Sequence, residues 1–167
     1  MIFLEKTIRK AVRCYVIKND NVLTIKYKSG NKKDFFDIPG GKIEKGESAE
    51  QAVVREMKEE TGTKVKEIVY KGNMIIEYPN KIFDLDIFVA NESEGEPEEF
   101  EENTSEWIEI NKLLQKEKIL SNIMILDRFF IRCLIEDSYN FKMHVIVDEE
   151  EKVLDVKYNL ERIEKNK

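Results

Sequence analysis

Two apolar runs with partial alternation, residues 11–17 and 22–27, stand near the start of the chain, separated by Lys18-Asn19-Asp20-Asn21. Alternation marks half-buried strands, and Asn and Asp between two such runs supply hairpin-turn chemistry, so the runs are predicted to pair. Residues 29–33 form a polar loop. Residues 35–38 read as a short extended piece stopped by Pro39-Gly40-Gly41, since proline lacks an N–H and the glycines favour neither helix nor ladder.

After that loop the period changes. Ser48 followed by Gln51 has the form of a capping box, and Ala49, Ala52, Val53 and Met57 recur at helical spacing until Gly62 offers a C-terminal stop. Residues 65–70, 73–78 and 82–90 are predicted strands, rich in β-branched and aromatic residues and broken by Gly72 and by Pro79-Asn80. Residues 92–102 are predicted to be an acidic loop, 107–110 a short strand and 112–118 a charged helical turn. A second helix is predicted over 123–135, with apolar residues on more than one side, and a terminal hairpin over 141–147 and 152–158. No repeat or linker divides the sequence, so residues 1–167 are expected to form one domain.

Charge then narrows the function. A net charge of −6 and a pI near 5.1 exclude a protein that grips long nucleic acid by neutralising phosphates. A small anionic substrate requires divalent cations to bridge the like charges. No stretch approaches the roughly 18 to 20 apolar residues that span a bilayer, and residues 1–10 lack the apolar core of a signal peptide, so a cytoplasmic location is expected. Cys14 and Cys133 lie far apart in apolar segments and read as buried, reduced thiols rather than nucleophiles. His144, the single histidine, falls in a predicted terminal strand and reads as structural.

The chemistry concentrates in residues 40–62. On a helix, Glu56 lies three and four residues from Glu59 and Glu60, so the three carboxylates are expected to converge on one side. A solvated acidic face is the plain alternative. Against it, the apolar stripe of Ala52, Val53 and Met57 pins the helix to the core and fixes where the carboxylates point. Convergent carboxylates satisfy a hard cation such as magnesium. Gly40 and Gly41 let the backbone approach a ligand or metal closely.

Together these positions match the Nudix box, a glycine, five residues, a glutamate, seven residues, then Arg-Glu-hydrophobic-x-Glu-Glu-x-Gly-hydrophobic. Here they are Gly41, Glu47, Arg55, Glu56, Met57, Glu59, Glu60 and Gly62; only the last position departs, with Thr63, and Val65 is expected to supply the missing packing. Gly-Gly-Lys-Ile-Glu before the helix and Glu-Gln-Ala-Val-Val-Arg-Glu within it resemble the MutT-like branch.

The resemblance implies an α/β fold, an α/β/α sandwich with a mixed β-sheet and the catalytic loop and helix beside it. It implies that Glu56, Glu59, Glu60 and the Gly40 carbonyl bind magnesium, which manganese can replace. Arg55 and Glu47 would orient those carboxylates. A further glutamate is implied before Trp107, with Glu102 the first choice and Glu101 the alternative. The implied reaction is attack of metal-activated water on phosphorus, releasing a nucleoside monophosphate and pyrophosphate from a triphosphate.

Beyond the box, Gly72, Ile76-Glu77, Asp86-Ile87-Phe88, Gly95-Glu96-Pro97-Glu98, Trp107, Asp127-Arg128-Phe129-Phe130 and Val153-Leu154-Asp155 resemble the 8-oxo-dGTP diphosphatases in order and spacing. In that branch an Asn before the Gly-Gly loop, a tryptophan and paired acids hold the base. Here Asp37 takes the Asn position, Met124 or Ile125 the tryptophan position, and Asp127 alone keeps an acid. Asp accepts a hydrogen bond but offers no amide donor. Lys26 and Lys28 are candidates for the phosphates, against a solvated role for lone lysines, and Gly41 and Lys42 are candidates for substrate contact; Phe35 or Phe36 is a candidate for stacking on the base, against a core role for either.

The partner so implied is a small nucleotide, with no long nucleic acid and no membrane, and the protein a monomer or a homodimer. Pro79, sixteen residues beyond Thr63, has the spacing seen in ADP-ribose pyrophosphatases, which sets ADP-ribose or a related nucleoside diphosphate as the second substrate reading. A Nudix-derived sensor that binds without cleaving is the rival from another class; such modules have damaged boxes, and this one keeps every carboxylate.

Overall fold

The computed structural model describes residues 5–126, 131–136 and 139–163. Its strands are β1 (Thr7–Lys18), β2 (Asn21–Tyr27), β3 (Phe36–Asp37), β4 (Lys64–Glu77), β5 (Lys81–Glu94), β6 (Asn103–Glu109), β7 (Tyr139–Val147) and β8 (Val153–Arg162). Helices are α1 (Ala49–Thr61), α2 (Ile110–Leu113) and α3 (Ile131–Ile135), with 3-10 turns at Gly30–Lys32 and Ser121–Leu126. The strands form one mixed sheet in the order β3-β2-β1-β5-β4-β7-β8, with β6 also paired to β2.

The β1–β2 turn forms as its Asn and Asp predict, with Asn19 and Asp20 at positive φ. The two strands then separate after Ile17↔Val22 and Lys18↔Asn21. On its far side β1 runs parallel to β5 from Thr7↔Lys81 to Val16↔Ala90. The wedge between β1 and β2 is filled by the double-glycine loop: Val12 N donates to Gly41 O and Cys14 N to Pro39 O, both at 2.9 Å. The loop therefore takes the place of a strand along half of β1.

Helix α1 forms for the reasons its sequence gives. Ser48 accepts from Gln51 N while Gln51 accepts from Ser48 N at 2.8 Å, closing the capping box, and Gly62 ends the helix in the left-handed conformation at φ 74°. Ala52, Val53 and Met57 are fully buried against Val12, Cys14, Val16, Leu23 and Val65 on one sheet face. Burial of Val53 and Met57 contributes about 2 kcal/mol each. Val65 thus supplies the packing that Thr63 does not, while Thr63 is buried with its hydroxyl 2.8 Å from that of Thr61. Removing the cap hydroxyl by Ser48→Ala is expected to cost about 1 kcal/mol, read as a melting temperature lower by a few degrees; an unchanged melt would remove the cap from this account.

On the opposite face Tyr15, Met74, Leu85, Ile87 and Val145 pack against Leu113, Ile123, Leu126 and Leu134. Helical layers on both faces give the α/β/α sandwich. Cys14 and Cys133 are buried and unpaired. His144, on β7, lies 2.7 Å from the Glu77 carboxylate. Among the described residues no helix is long and apolar enough to cross a membrane.

Strands β1, β6 and β8 run longer than expected, and four further elements differ in kind or position. Gly72 does not break β4; it carries a β-bulge opposite β5, at φ 147°, where a Cβ would fall 2.0 Å from the Phe141 carbonyl oxygen. The glycine is therefore what lets β7 approach. Strand β5 runs into the expected acidic loop as far as Glu94, because Lys64 and Lys66 stand opposite Glu94 and Glu92. The helical turn expected over 112–118 is instead α2, starting at Ile110, whose N–H is held by Asp20 O at 2.9 Å. The second helix begins as a 3-10 turn at Ser121–Leu126 rather than an α-helix, and Tyr15 Oη donates to the Asn122 carbonyl within it at 2.6 Å. Residues 127–130, with Asp127, lie outside the described residues.

Candidate active site

The loop at 39–41 is built by close approach. Gly40 has φ 154°, and a Cβ there would stand 2.1 Å from the Val12 carbonyl oxygen; at Gly41 a Cβ would stand 2.3 Å from Glu56 Oε1. The first glycine seats the loop against β1 and the second leaves room for a carboxylate. Pro39 O and Gly41 O are committed to β1. The Gly40 carbonyl between them accepts no hydrogen bond among the described residues.

Glu60 reaches beneath the loop, where Oε2 accepts from Gly40 N at 2.8 Å. Burial pushes its carboxyl up to about 8, and nearby Asp37 and Glu56 push the same way; the Gly40 N–H and Arg13 oppose them. Arg55 spans the rest. Its guanidinium donates to Glu47 Oε1 at 2.8 Å, Glu56 Oε1 at 2.7 Å, Glu59 Oε2 at 3.2 Å and the Lys42 carbonyl at 3.0 Å. Hydrogen bonds to Glu47 and then Glu56 raise the Arg55 pKa, and the bond from Arg55 holds Glu47 below the usual carboxylate range.

The expected convergence of Glu56, Glu59 and Glu60 is therefore partial. Glu56 and Glu60 sit at the two glycines, whereas the Glu59 side chain is 60% exposed. Among the described residues no three acidic, histidine or cysteine side chains stand as a closed cation cage. Repulsion is relieved by dividing the charges, two on Arg55 and one under the loop. The donor set still fits a hard divalent cation: it is all oxygen, the half-buried Glu60 carboxylate has one backbone N–H as its hydrogen-bond partner, and the Cβ-free space at Gly41 faces Glu56.

Beside Gly41 opens a cavity of about 630 Å³ bounded by Ala11, Arg13, Lys42, Ile43 and Phe83. Arg13 and Phe83 also line a smaller inner cavity of about 20 Å³, together with Asp37, Tyr78 and Asn122. Sequence reasoning missed Arg13 and Asn122. A lone charge inside the apolar run Ala11-Val12-Arg13-Cys14-Tyr15-Val16 was the available signal for the first; the second had none. Burial works against the Arg13 charge, but Asp37, then Tyr27 and Glu60, outweigh it and raise its pKa.

Asp37 is fully buried and saturated: it accepts from Tyr27 Oη at 3.0 Å, Ile38 N at 2.7 Å and Asn122 Nδ2, with Arg13 Nη2 at 3.8 Å. A carboxylate only accepts, so the Asn122 amide must turn its N–H to Asp37 and its oxygen away. That oxygen and Arg13 Nε are buried without partners.

Other candidates lie elsewhere. Phe36 is buried on β3 with the ammonium groups of Lys26 and Lys116 5.6 and 5.9 Å from its ring centre. Lys26 is also 3.8 Å from Asp34, and Lys28 is tied to Glu99 at 2.8 Å. Glu101 and Glu102 are exposed. In the same segment it is Glu98 whose carboxylate packs against the α1 C-cap at Gly62.

The NUDIX domain model matches residues 7–129, well over half of the chain. The chain belongs to the Nudix family and is a hydrolase of nucleotide pyrophosphate bonds. An oxidized purine nucleoside triphosphate hydrolase from Danio rerio is 40% identical over 76 residues, 44% of this chain and 49% of the relative. An 8-oxo-dGTP diphosphatase from Escherichia coli (strain K12) is 33% identical over 98 residues, 57% of this chain and 76% of the relative. An ADP-ribose pyrophosphatase from Methanocaldococcus jannaschii is 34% identical over 129 residues, 68% of this chain and 72% of the relative. The chain thus spans about half the length of the first and about three quarters of the other two. The MutT protein from Bacillus halodurans has the same fold, with a TM-score of 0.71 at 26% identity over 91% of this chain and 97% of that one.

Proposed function

We propose that this Nudix hydrolase is a magnesium-dependent nucleoside triphosphate pyrophosphohydrolase that acts on oxidised purine nucleotides and releases the monophosphate and pyrophosphate. The observation that carries the reading is the half-buried Glu60 carboxylate gripping the Gly40 N–H, in a loop whose next residue, Gly41, lines a cavity large enough for a nucleotide. Glu56, Glu59, Glu60 and the Gly40 carbonyl would hold magnesium, which when bound neutralises phosphate charge and acidifies water. Arg55 and Glu47 fix the orientation of Glu56. Lys42, at the cavity wall, meets the substrate's negative charge.

Purine preference is supported by the inner cavity. Arg13 Nε offers a donor and Asn122 Oδ1 an acceptor, the complement of a lactam edge that carries an acceptor beside an N–H. Side-chain movement must first enlarge this space. Asp37, already saturated, serves by orienting Asn122 rather than by reading the base itself.

A second reading has its own support. Through Tyr78, Lys32 and Leu120 the inner cavity meets a third, of about 450 Å³, that includes Pro79. The added volume beyond the first cavity suits a nucleoside diphosphate joined to a second sugar, such as ADP-ribose. The discriminating measurement is a panel of 8-oxo-dGTP, dGTP, other triphosphates and ADP-ribose with magnesium, reading phosphate with and without added pyrophosphatase. Pyrophosphate from oxidised purine triphosphates is expected. Dominant cleavage of ADP-ribose would replace the first reading with the second.

A further inference from the structure

The cavity of about 630 Å³ beside Gly41 carries one sign of charge. Arg9, Lys10, Arg13 and Lys42 line it and, among the described residues, no carboxylate does, in a chain whose net charge is −6. Arg13 is turned to Asp37, 3.8 Å away. The other three form no ion pair among the described residues. Asp84, which stands across from Lys10 in the β1–β5 pairing, instead accepts from Asn73 Nδ2 at 2.7 Å. Unpaired cations gathered on one concavity repel one another, and an anion held among them relieves that repulsion.

The strand sets where these cations stand. The double-glycine loop follows β1 back only to Lys10, whose carbonyl accepts from Ile43 N at 3.3 Å, and along Thr7–Arg9 the cavity takes its place. Neighbours on a strand point to opposite faces, so Arg9 and Lys10 reach around this free edge from both sides. Arg9 pairs with Phe83 across the ladder and lays its guanidinium 5.9 Å from the centre of that ring. The contact steadies the planar group and leaves its N–H fork for a phosphate. Along β1 the order is Arg13 at the inner cavity, Ala11 opposite Lys42 at the glycine loop, then Lys10 and Arg9. Charge elsewhere points the same way: the cavity that includes Pro79 sets Glu149, Glu150 and Glu151 against Lys32 and Lys81, a poorer place for a polyphosphate.

We propose that Arg9 and Lys10, with Lys42, hold the end of the phosphate chain that leaves as pyrophosphate, and so select a nucleoside triphosphate over a nucleoside diphosphate joined to an uncharged group. The assignment rests on the triphosphate reading above and orients the substrate along β1, with the base towards Arg13 and the terminal phosphate towards Arg9.

The test compares the full-length wild type with Arg9→Gln, Lys10→Gln and the double variant. Lys18→Gln, the same loss of charge at the far end of β1, is the control. Calorimetric titration of inorganic tripolyphosphate in magnesium reads the subsite without turnover. Binding is expected to weaken about tenfold per charge removed at Arg9 and Lys10 and to stay at the wild-type value in Lys18→Gln, with melting temperatures unchanged. With 8-oxo-dGTP and dGTP the loss should fall on KM rather than kcat, while cleavage of ADP-ribose keeps its wild-type KM. Unchanged tripolyphosphate affinity in the double variant overturns the proposal, as does an equal loss in Lys18→Gln or a rise in KM shared by ADP-ribose. A wild type that cleaves ADP-ribose and no triphosphate overturns the substrate reading and the selectivity with it, whereas the phosphate contact is still decided by tripolyphosphate.

Discussion

Glu60→Gln is expected to lower magnesium-dependent pyrophosphate release by about 10²- to 10⁴-fold, the range for losing a group that acts on the reacting proton or its metal, while leaving the protein folded. Gln preserves the shape and keeps an oxygen to accept from Gly40 N, so the loop stays seated. What disappears is the negative charge. The metal-free protein provides a readout independent of turnover. Burial holds the Glu60 carboxyl up to about 8, against an ordinary value of 4.5. The folded state therefore keeps a proton that the unfolded chain has released, and stability must fall as pH rises through that window, by at most ~1.4 kcal/mol per pH unit. Thermal melts in chelator should decline across it for the wild type and show less decline for Glu60→Gln, and added magnesium should flatten the wild-type slope. A variant with undiminished turnover would remove Glu60 from the chemistry; equal slopes would show that its carboxyl is not held up by the fold.

Gly40→Ala is the second large effect, and it acts on folding. Its Cβ would meet backbone atoms, the Val12 carbonyl oxygen at 2.1 Å and Arg13 Cα at 2.9 Å, in a conformation at φ 154° that side chains rarely adopt. Neither obstacle rotates away, so a loss of about 3 kcal/mol or more is expected, measured as a shifted urea midpoint or as insoluble protein. Gly41→Ala makes the contrast. There the obstacle is the Glu56 carboxylate, the free end of a side chain, so the protein should fold and lose activity. Equal stability of Gly40→Ala and wild type would show that the loop does not need its contact with β1.

Much of this was legible in the chain because it is local. Ser48, Gln51 and Gly62 mark the ends of α1 through bonds to their own neighbours, and the box positions fall at fixed helical spacing. The errors arose where distant segments decide. Gly72 reads as a break until β7 is known to press against it. Residues 92–94 read as loop until Lys64 and Lys66 stand across from them. Asp37 reads as a base-reading position, yet its oxygens are taken by Tyr27, Ile38 and Asn122, the last from a segment 85 residues away. The carboxylates were expected in one cluster because spacing fixes their side of the helix; it does not foresee that Arg55 draws Glu56 and Glu59 while the loop captures Glu60.

The wedge in β1 bears on how the molecule is assembled during synthesis. Half of that first strand is completed by the glycine loop and its other edge by β5, which ends at residue 94. Closing those two long-range pairings is entropically slow compared with forming α1. A nascent chain therefore carries its helix of glutamates early, but the helix has no rigid partner until the ribosome has passed β5. Hydrolytic competence should then appear late and in one step, and fragments ending before residue 94 should be inert however helical they are.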